Sequence, residues 1–142
     1  LELSYEECRK SALYTTMEPC PLCMGALYMS DVKTVYFAAR DPWAGSTNLL
    51  GTTPYLSRKP FKVFEPQNLV LENCLTALHT EFELFKRGEE FLSHRFFDAF
   101  RAVLPQAVEK GIEIYRSGEL RKKQKEHFPA NEIFNWLANQ VQ

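Results

Sequence analysis

The sequence predicts an α/β domain followed by an all-helical tail, and three observations support this. Segments 12–17, 33–40 and 61–65 are short, apolar and rich in β-branched or aromatic residues, which is typical of strands. A helical pattern lies between the first two strands and another follows the third, and this alternation favours a sheet with crossover helices. From residue 89 onward only helical patterns remain, without an internal repeat or a low-complexity tract.

The composition is that of a globular protein. The chain has 142 residues, of which 45% are apolar and 25% charged, and this is enough for one domain with a core. The net charge of −1 gives no strong electrostatic sign of nucleic-acid binding, so a nucleic acid would need a local patch. No apolar run is long enough to span a membrane, and we expect no membrane partner and a cytoplasmic protein.

The first half of the chain supplies strand and turn signals. "ALYTTM" (12–17) alternates like a half-buried strand, and "KTVYFAAR" (33–40) is typical of a buried one. Pro21 falls in the first turn of the helix predicted over 21–31, where its missing N–H costs nothing. Residues 41–60 are rich in proline and glycine and predict a loop with one turn of helix, before the short strand "FKVFE" (61–65).

A long helix is predicted from Asn68 to Arg87. Asn68 is a suitable N-cap and Gly88 a suitable stop. Apolar residues spaced by three and four form a helical stripe, which consists of Leu71, Leu75, Leu78, Phe82 and Phe85.

The tail predicts further helices. Phe91 to Leu104 forms a second amphipathic pattern, which Pro105 and Gly111 are expected to interrupt, and "NEIFNWLANQV" (131–141) ends the chain as a short helix. Six of the eleven phenylalanines fall between Phe82 and Phe100, which favours a core or a subunit interface over a ligand site.

Two of the four cysteines are spaced for chemistry. Cys8 and Cys74 stand alone, whereas Cys20 and Cys23 form a C-x-x-C at the start of the helix predicted over 21–31. Positions i and i+3 lie on one face of a helix, so both sulfurs can approach one ion at about 2.3 Å, the zinc–thiolate distance. The unpaired N–H groups and the positive dipole end of the helix favour thiolates there.

The spacing alone leaves three interpretations open. Two thiolates do not complete a zinc site, which needs three or four protein ligands, and a zinc ribbon is excluded because no second C-x-x-C occurs in this chain. A thioredoxin-like redox pair would share the helix start and needs no further ligands. The third interpretation is a buried pair of small apolar residues.

The wider string favours the metal. "LYTTMEPCPLCMGALYMSDVKTVYFAARDPWAGS", continued by "VLENCLTAL", resembles the zinc-dependent cytidine and tRNA-adenosine deaminase superfamily. The likeness is strongest to the branch of tRNA adenosine deaminases and guanine deaminases, and it covers about residues 12–88. It implies a cytidine deaminase-like three-layer α/β/α fold with a mixed sheet. Residues 1–88 would be the C-terminal portion of that domain, without its N-terminal part, and residues 89–142 would be a helical extension.

The resemblance also implies the chemistry. Cys20 and Cys23 would be zinc ligands, a histidine the third ligand and water the fourth, and a glutamate would carry protons during hydrolytic deamination of a nucleobase. The substrate would be a cytosine, adenine or guanine compound or a tRNA. The family's H-x-E lies before the cysteines, and because the chain begins at Leu1 without a methionine, we expect it upstream. The alternative is a catalytically inactive deaminase-like subunit with a structural or binding role.

Two further residues are candidates for supporting roles. By the resemblance, Glu18 supports the metal loop or a helix N-terminus. The alternative role for Glu18 is that of a solvent-exposed capping carboxylate. Trp43 lies in the loop from Asp41 to Asn48 and would line the mouth of the pocket, where an aromatic ring stacks on a base. The alternative role for Trp43 is structural, as a loop tryptophan that covers the core.

Other polar motifs favour structural roles. His79-Thr80-Glu81 is an H-x-E, but residues i and i+2 of a helix point about 200° apart, so it is interpreted as a solvated helix edge. The basic run "RKKQK" (121–125) favours a solvated helix face over phosphate contacts. His94 and His127 are predicted to be surface residues.

The predicted helix 21–31 also bears on assembly. The helix is apolar on more than one face and needs cover on all sides, and the residues concerned are Met24, Ala26, Leu27, Tyr28 and Met29. In the family this helix packs near a subunit interface, so a homodimer or larger assembly is expected.

Overall fold

The computed structural model describes residues 3–141 and contains two compact units that divide between Gln67 and Asn68. The first unit is α/β and the second is helical, so the mixed helix and strand class is confirmed. The first unit consists of α1 (Tyr5–Lys10), β1 (Ala12–Met17), α2 (Pro21–Ser30), β2 (Thr34–Ala39) and β3 (Lys62–Phe64), with a 3₁₀ turn at Thr47–Leu49. The three predicted strands, the helix between them and the single turn in the loop are all present.

The sheet of the first unit has the order β1-β2-β3, and its strands are parallel. The resemblance implied a mixed sheet, whereas the three described strands are all parallel, because each is joined to the next by a crossover rather than a hairpin. One face buries Val35, Phe37 and Ala39. The other carries a row of stacked rings in which Tyr36 lies 4.6 Å from Tyr14 and 4.3 Å from Phe64 between centroids.

A buried carboxylate ties the first unit together where α2 ends. Asp31 adopts the left-handed conformation (φ 66°) as the C-cap of α2 and is 3% exposed. Its carboxylate pairs with Arg9 (3.1 Å), Lys33 (3.2 Å) and Lys59 (3.0 Å). Burial alone would raise the pKa of Asp31, but hydrogen bonds from Lys59 and Lys33 and the charges of these lysines outweigh it and hold the pKa below its ordinary value. One side chain thus links α1, α2, the start of β2 and the segment before β3.

We expect Asp31→Asn to lower the melting temperature at neutral pH. Asparagine also tolerates the left-handed conformation, so the substitution removes the charge without straining the backbone. A lowered folded-state pKa stabilises the protein above the unfolded-state pKa of about 3.9, and this contribution is lost as the pH falls through the folded-state pKa. The difference in melting temperature between wild type and variant should therefore be full at pH 7 and shrink below about pH 4. A difference that does not depend on pH would contradict this ionic role.

The second unit is built from five helices among the described residues. They are α3 (Leu69–Arg87), α4 (Arg95–Val103), α5 (Pro105–Ser117), α6 (Glu119–Lys125) and α7 (Ala130–Ala138), with a 3₁₀ turn at Glu89–Ser93. The predicted ends of α3 are confirmed: the Asn68 side chain accepts a hydrogen bond from the Leu71 N–H, and Gly88 ends the helix with φ 86°. The helical tail is also confirmed, and Phe96, Phe97 and Phe100 are buried as predicted for a core.

The buried face of α3 differs from the predicted apolar stripe. Phe82 and Phe85 of that stripe are 49% and 58% exposed, whereas Ala77 and Thr80 are buried. The reason is a close crossing of α3 and α5, where a Cβ on Gly111 would overlap the Thr80 side chain and the Ala77 carbonyl. The prediction that Gly111 interrupts a helix is therefore wrong, because it lies inside α5 and allows this approach.

Two predictions of solvated helix faces are also wrong. Glu81 is only 2% exposed, and Arg121 forms a two-pronged ion pair with it at 2.7 and 2.6 Å. The guanidinium of Arg121 also lies 3.7 Å from the ring centroid of Phe85. The H-x-E glutamate and the first residue of the basic run therefore hold α3 and α6 together. Lys122 and Lys125 of the basic run are exposed, which agrees with the solvated helix face predicted for that run.

The structural division does not coincide with the predicted domain boundary. The compact units separate before α3, whereas the sequence placed the end of the deaminase-like portion after it, at residue 88. Where the homologous portion ends stays a prediction. Among residues 3–141, no helix is both long and apolar enough to cross a lipid bilayer.

Candidate functional site

The two candidate ligands converge at the start of α2. Cys20 is the N-cap, with an extended backbone (φ −70°, ψ 171°), and its carbonyl accepts the first helical hydrogen bond, from the Met24 N–H at 2.9 Å. Pro21 occupies the first turn, as predicted. The Sγ atoms of Cys20 and Cys23 are 3.4 Å apart, and Cys23 is exposed while Cys20 is half-buried. Both thiols can therefore reach one ligand from solvent.

The thiols of this pair are electrostatically unequal. Hydrogen bonds from the Cys23 backbone N–H and from the Cys23 thiol lower the pKa of Cys20 below its ordinary value. The same side-chain hydrogen bond, burial and the neighbouring Cys20 charge raise the pKa of Cys23. Cys20 thus loses its proton first, as expected of a thiol at a helix N-terminus.

The donor set fits half of a zinc site. Two thiolates at i and i+3 are soft ligands that zinc accepts in tetrahedral geometry. Within residues 3–141, however, no group of three His, Cys, Asp or Glu side chains is placed to hold a metal ion. The two thiols could supply two ligands to a zinc ion, and such a site would need at least one further ligand from outside these residues.

Glu18 lies directly before these two cysteines and binds a loop. Its Oε1 accepts hydrogen bonds from the backbone N–H of Thr47 at 3.1 Å and from the Thr47 hydroxyl, and its Oε2 faces the Asp41 N–H at 3.4 Å. Glu18 thus binds the loop that contains Asp41 and Thr47, and its supporting role at the metal loop or at a helix N-terminus stays a prediction. Sequence reasoning missed Thr47, because only the fold brings it within reach of a residue 29 positions earlier.

The loop that receives Glu18 is itself well ordered by hydrogen bonds. Asp41 Oδ1 accepts from the backbone N–H groups of Trp43 at 3.0 Å and Ala44 at 2.9 Å. The Ser46 N–H donates to the Pro19 carbonyl at 3.0 Å, next to Cys20. Trp43 is 49% exposed. An aromatic surface is therefore available to solvent on a loop attached beside the thiols.

The histidines and the H-x-E triplet lie elsewhere in the chain, in the second unit. The His79 ring lies in T-shaped contact with the rings of Phe96 and Phe100, at centroid distances of 5.3 and 5.4 Å, while Glu81 faces Arg121. The predicted divergence of the two side chains is thus present. His94 caps α4 by accepting from the Phe96 N–H, and His127 is exposed.

Comparisons with known proteins find short segments in common with deaminases. The chain is 48% identical over 40 residues to the tRNA-specific adenosine deaminase of Bacillus subtilis (strain 168), which is 28% of this chain and 25% of that protein. It is 56% identical over 27 residues to the guanine deaminase of the same organism, which is 19% of this chain and 17% of that protein. The chain thus spans about a quarter or less of the curated relatives it matches. No family model and no solved structure matches the chain.

Proposed function

We propose that this chain contributes the two thiolate ligands of a zinc-dependent nucleobase deaminase. The observation that carries the proposal is the pair of Sγ atoms 3.4 Å apart at the N-terminus of α2. The short segments shared with a tRNA-specific adenosine deaminase and a guanine deaminase support it. The substrate would be a cytosine-, adenine- or guanine-type base, as a free base, nucleoside or nucleotide or within tRNA.

The residues of this chain would have distinct roles in that reaction. Cys20 and Cys23 would hold the ion, and the helix dipole of α2 would stabilise their negative charge. A zinc ion in such a site supplies a bound water that is acidic enough to act as hydroxide near pH 7. Trp43 would offer its exposed ring to the base, since stacking is one of the ways in which deaminases hold an extruded or free base. The third ligand and the proton-carrying glutamate would come from outside residues 3–141.

The same proposal includes a cytidine deaminase-like three-layer arrangement. Parallel sheets are normally covered on both faces. In this chain one face of the sheet is buried, but Tyr14 on the other face is 73% exposed. A layer over the Tyr14, Tyr36 and Phe64 rings would complete the arrangement.

A second candidate is a catalytically inactive deaminase-like subunit. It is favoured by the incomplete ligand set, since residues 3–141 present no group of three possible ligands. Such a subunit would keep the C-x-x-C as a structural or binding feature, without turnover.

The deciding experiment uses the polypeptide encoded by the whole reading frame. Purified protein is analysed for zinc and assayed for ammonia release from cytosine, adenine and guanine compounds and from tRNA. Zinc-dependent ammonia release would support the enzyme. Retained zinc without turnover on any of these substrates would favour the inactive subunit, and absence of zinc would contradict both the cofactor and the proposed reaction.

We also propose a homodimer or larger assembly, and α2 gives the reason. The helix buries Met24 and Tyr28 on one side but leaves Leu22 and Met29 82% and 66% exposed. An apolar helix face of this kind favours contact with a second protein surface. Sedimentation at micromolar concentration should show at least twice the monomer mass, and Leu22→Glu should shift the protein toward monomer. A monomer of the unsubstituted protein would contradict the proposal.

A further inference from the structure

The loop from Asp41 to Thr47 is attached to the two residues that precede Cys20. The Pro19 carbonyl accepts the Ser46 N–H at 3.0 Å, and the Glu18 carboxylate accepts both donors of Thr47 and faces the Asp41 N–H. Glu18 therefore contacts the first and the last residue of the loop at once. Because Cys20 follows directly, the loop and the thiol pair share one anchor.

The position of this carboxylate is fixed from both sides. The Glu18 backbone N–H donates to the Ala39 carbonyl at 2.8 Å, which extends the pairing of β1 and β2 and holds the main chain. On the loop side, a Cβ on Gly45 would overlap the Glu18 carboxylate and the Asp41 carbonyl. The loop follows a path that leaves room for this carboxylate and for no side chain at Gly45.

We infer that Glu18 is a positioning residue that sets the Asp41–Thr47 loop, and with it Trp43, against the Cys20–Cys23 pair. Its carboxylate is occupied by loop donors, so it acts through the loop and carries no proton in the reaction. The inference rests on the proposed function only where it assigns Trp43 to a nucleobase. Zinc binding is not expected to depend on Glu18, because α2 itself holds the two sulfurs together.

The test uses the fluorescence of Trp43 as a reporter of the loop. The chain has two tryptophans, so Trp136→Phe leaves Trp43 as the single emitter. In that background, Glu18→Ala removes every acceptor that the loop uses on this side chain, and the acrylamide quenching constant of Trp43 should rise. Since Trp43 is 49% exposed in the ordered loop, release of the loop would expose the ring further, and a rise in the quenching constant is the expected result.

A milder pair of variants separates positioning from a general loss of folding. Thr47→Val removes one hydroxyl donor to Glu18 and should raise the quenching constant in the same direction, while Thr47→Ser keeps a hydroxyl and should restore it. Thr16→Val, on an exposed position of β1, is the matched control and should change nothing. Unchanged quenching in both Glu18→Ala and Thr47→Val, with far-UV circular dichroism preserved, would overturn the inference.

Metal and activity measurements distinguish this inference from the proposed function. In the polypeptide of the whole reading frame, Glu18→Ala should keep the zinc content of the unsubstituted protein, and lost zinc would overturn the positioning role. If that protein deaminates a base, the variant should lose kcat/KM mainly through a higher KM. If the unsubstituted protein releases no ammonia, the proposed function fails, and the Trp43 measurement still decides the role of Glu18.

Discussion

Replacing either Cys20 or Cys23 with alanine is expected to abolish stoichiometric zinc in the protein expressed from its whole reading frame. We expect about one zinc ion per chain in the unsubstituted protein, as in catalytic zinc sites with three protein ligands and a water. Removing one thiolate leaves too few protein ligands to hold the ion against dialysis. The measurement is metal analysis by mass spectrometry after dialysis against a weak chelator.

Cys8→Ala is the matched control for both variants. Cys8 is a half-buried free cysteine in α1 and belongs to no pair, so its loss should leave the zinc content unchanged. Unchanged zinc in Cys20→Ala or in Cys23→Ala would refute the assignment of that residue as a ligand. If the unsubstituted protein contains a Cys20–Cys23 disulfide and no zinc, and the disulfide is lost in Cys20→Ala and Cys23→Ala, the redox interpretation of the pair would be favoured.

The chain of residues 1–142 alone is expected to show no deaminase activity, even with added zinc. Its described residues offer two thiolates and no third ligand, so the ion and its water would be poorly held. Among the described residues, the carboxylate nearest to the thiols along the chain is that of Glu18, and it is occupied by hydrogen bonds from Thr47 rather than available for proton transfer. Positioned acid–base groups contribute about 10²- to 10⁴-fold in rate, and that contribution would be missing.

The assay for this prediction measures ammonia release from cytosine, adenine and guanine compounds and from tRNA. The chain of residues 1–142 is compared with the polypeptide of the whole reading frame, with and without zinc. Turnover by the chain of residues 1–142 that disappears in His79→Ala or Glu81→Gln would contradict our interpretation of the H-x-E triplet. Because Glu81 forms a buried ion pair with Arg121, Glu81→Gln must be assayed well below its own melting temperature.

A second variant separates loss of catalysis from loss of stability in this experiment. Arg121→Met also breaks the pair with Glu81 but leaves the triplet itself intact. If activity were found and survived Arg121→Met but not Glu81→Gln, the carboxylate would have a chemical role. Equal effects of the two variants would assign Glu81 to stability alone.

Local signals in the sequence were enough to place the elements around the candidate site. Alternation predicted β1, the apolar run of residues 33–40 predicted β2 as a buried strand, and Pro21 marked the first turn of α2. Asn68 and Gly88 marked the ends of α3. These features depend on neighbours within about one helical turn or one strand, so composition and spacing are sufficient to find them. The C-x-x-C likewise predicted two thiols on one face of a helix start, and the structure brings their sulfurs together.

Contacts between distant residues were decided only by the tertiary structure. The hydrogen bonds of Glu18 to Thr47 span 29 positions, and the ion pair of Glu81 with Arg121 spans 40. Glycine in a sequence commonly indicates a helix interruption, yet Gly111 lies inside α5. A side chain at this position would overlap Ala77 and Thr80 of α3, so the close packing of the two helices requires glycine. Periodicity shows which residues of a helix share a face, but the packing partner decides which face is buried. The partners of Glu18, Glu81 and Gly111 lie far along the chain, so no local pattern in the sequence could identify them.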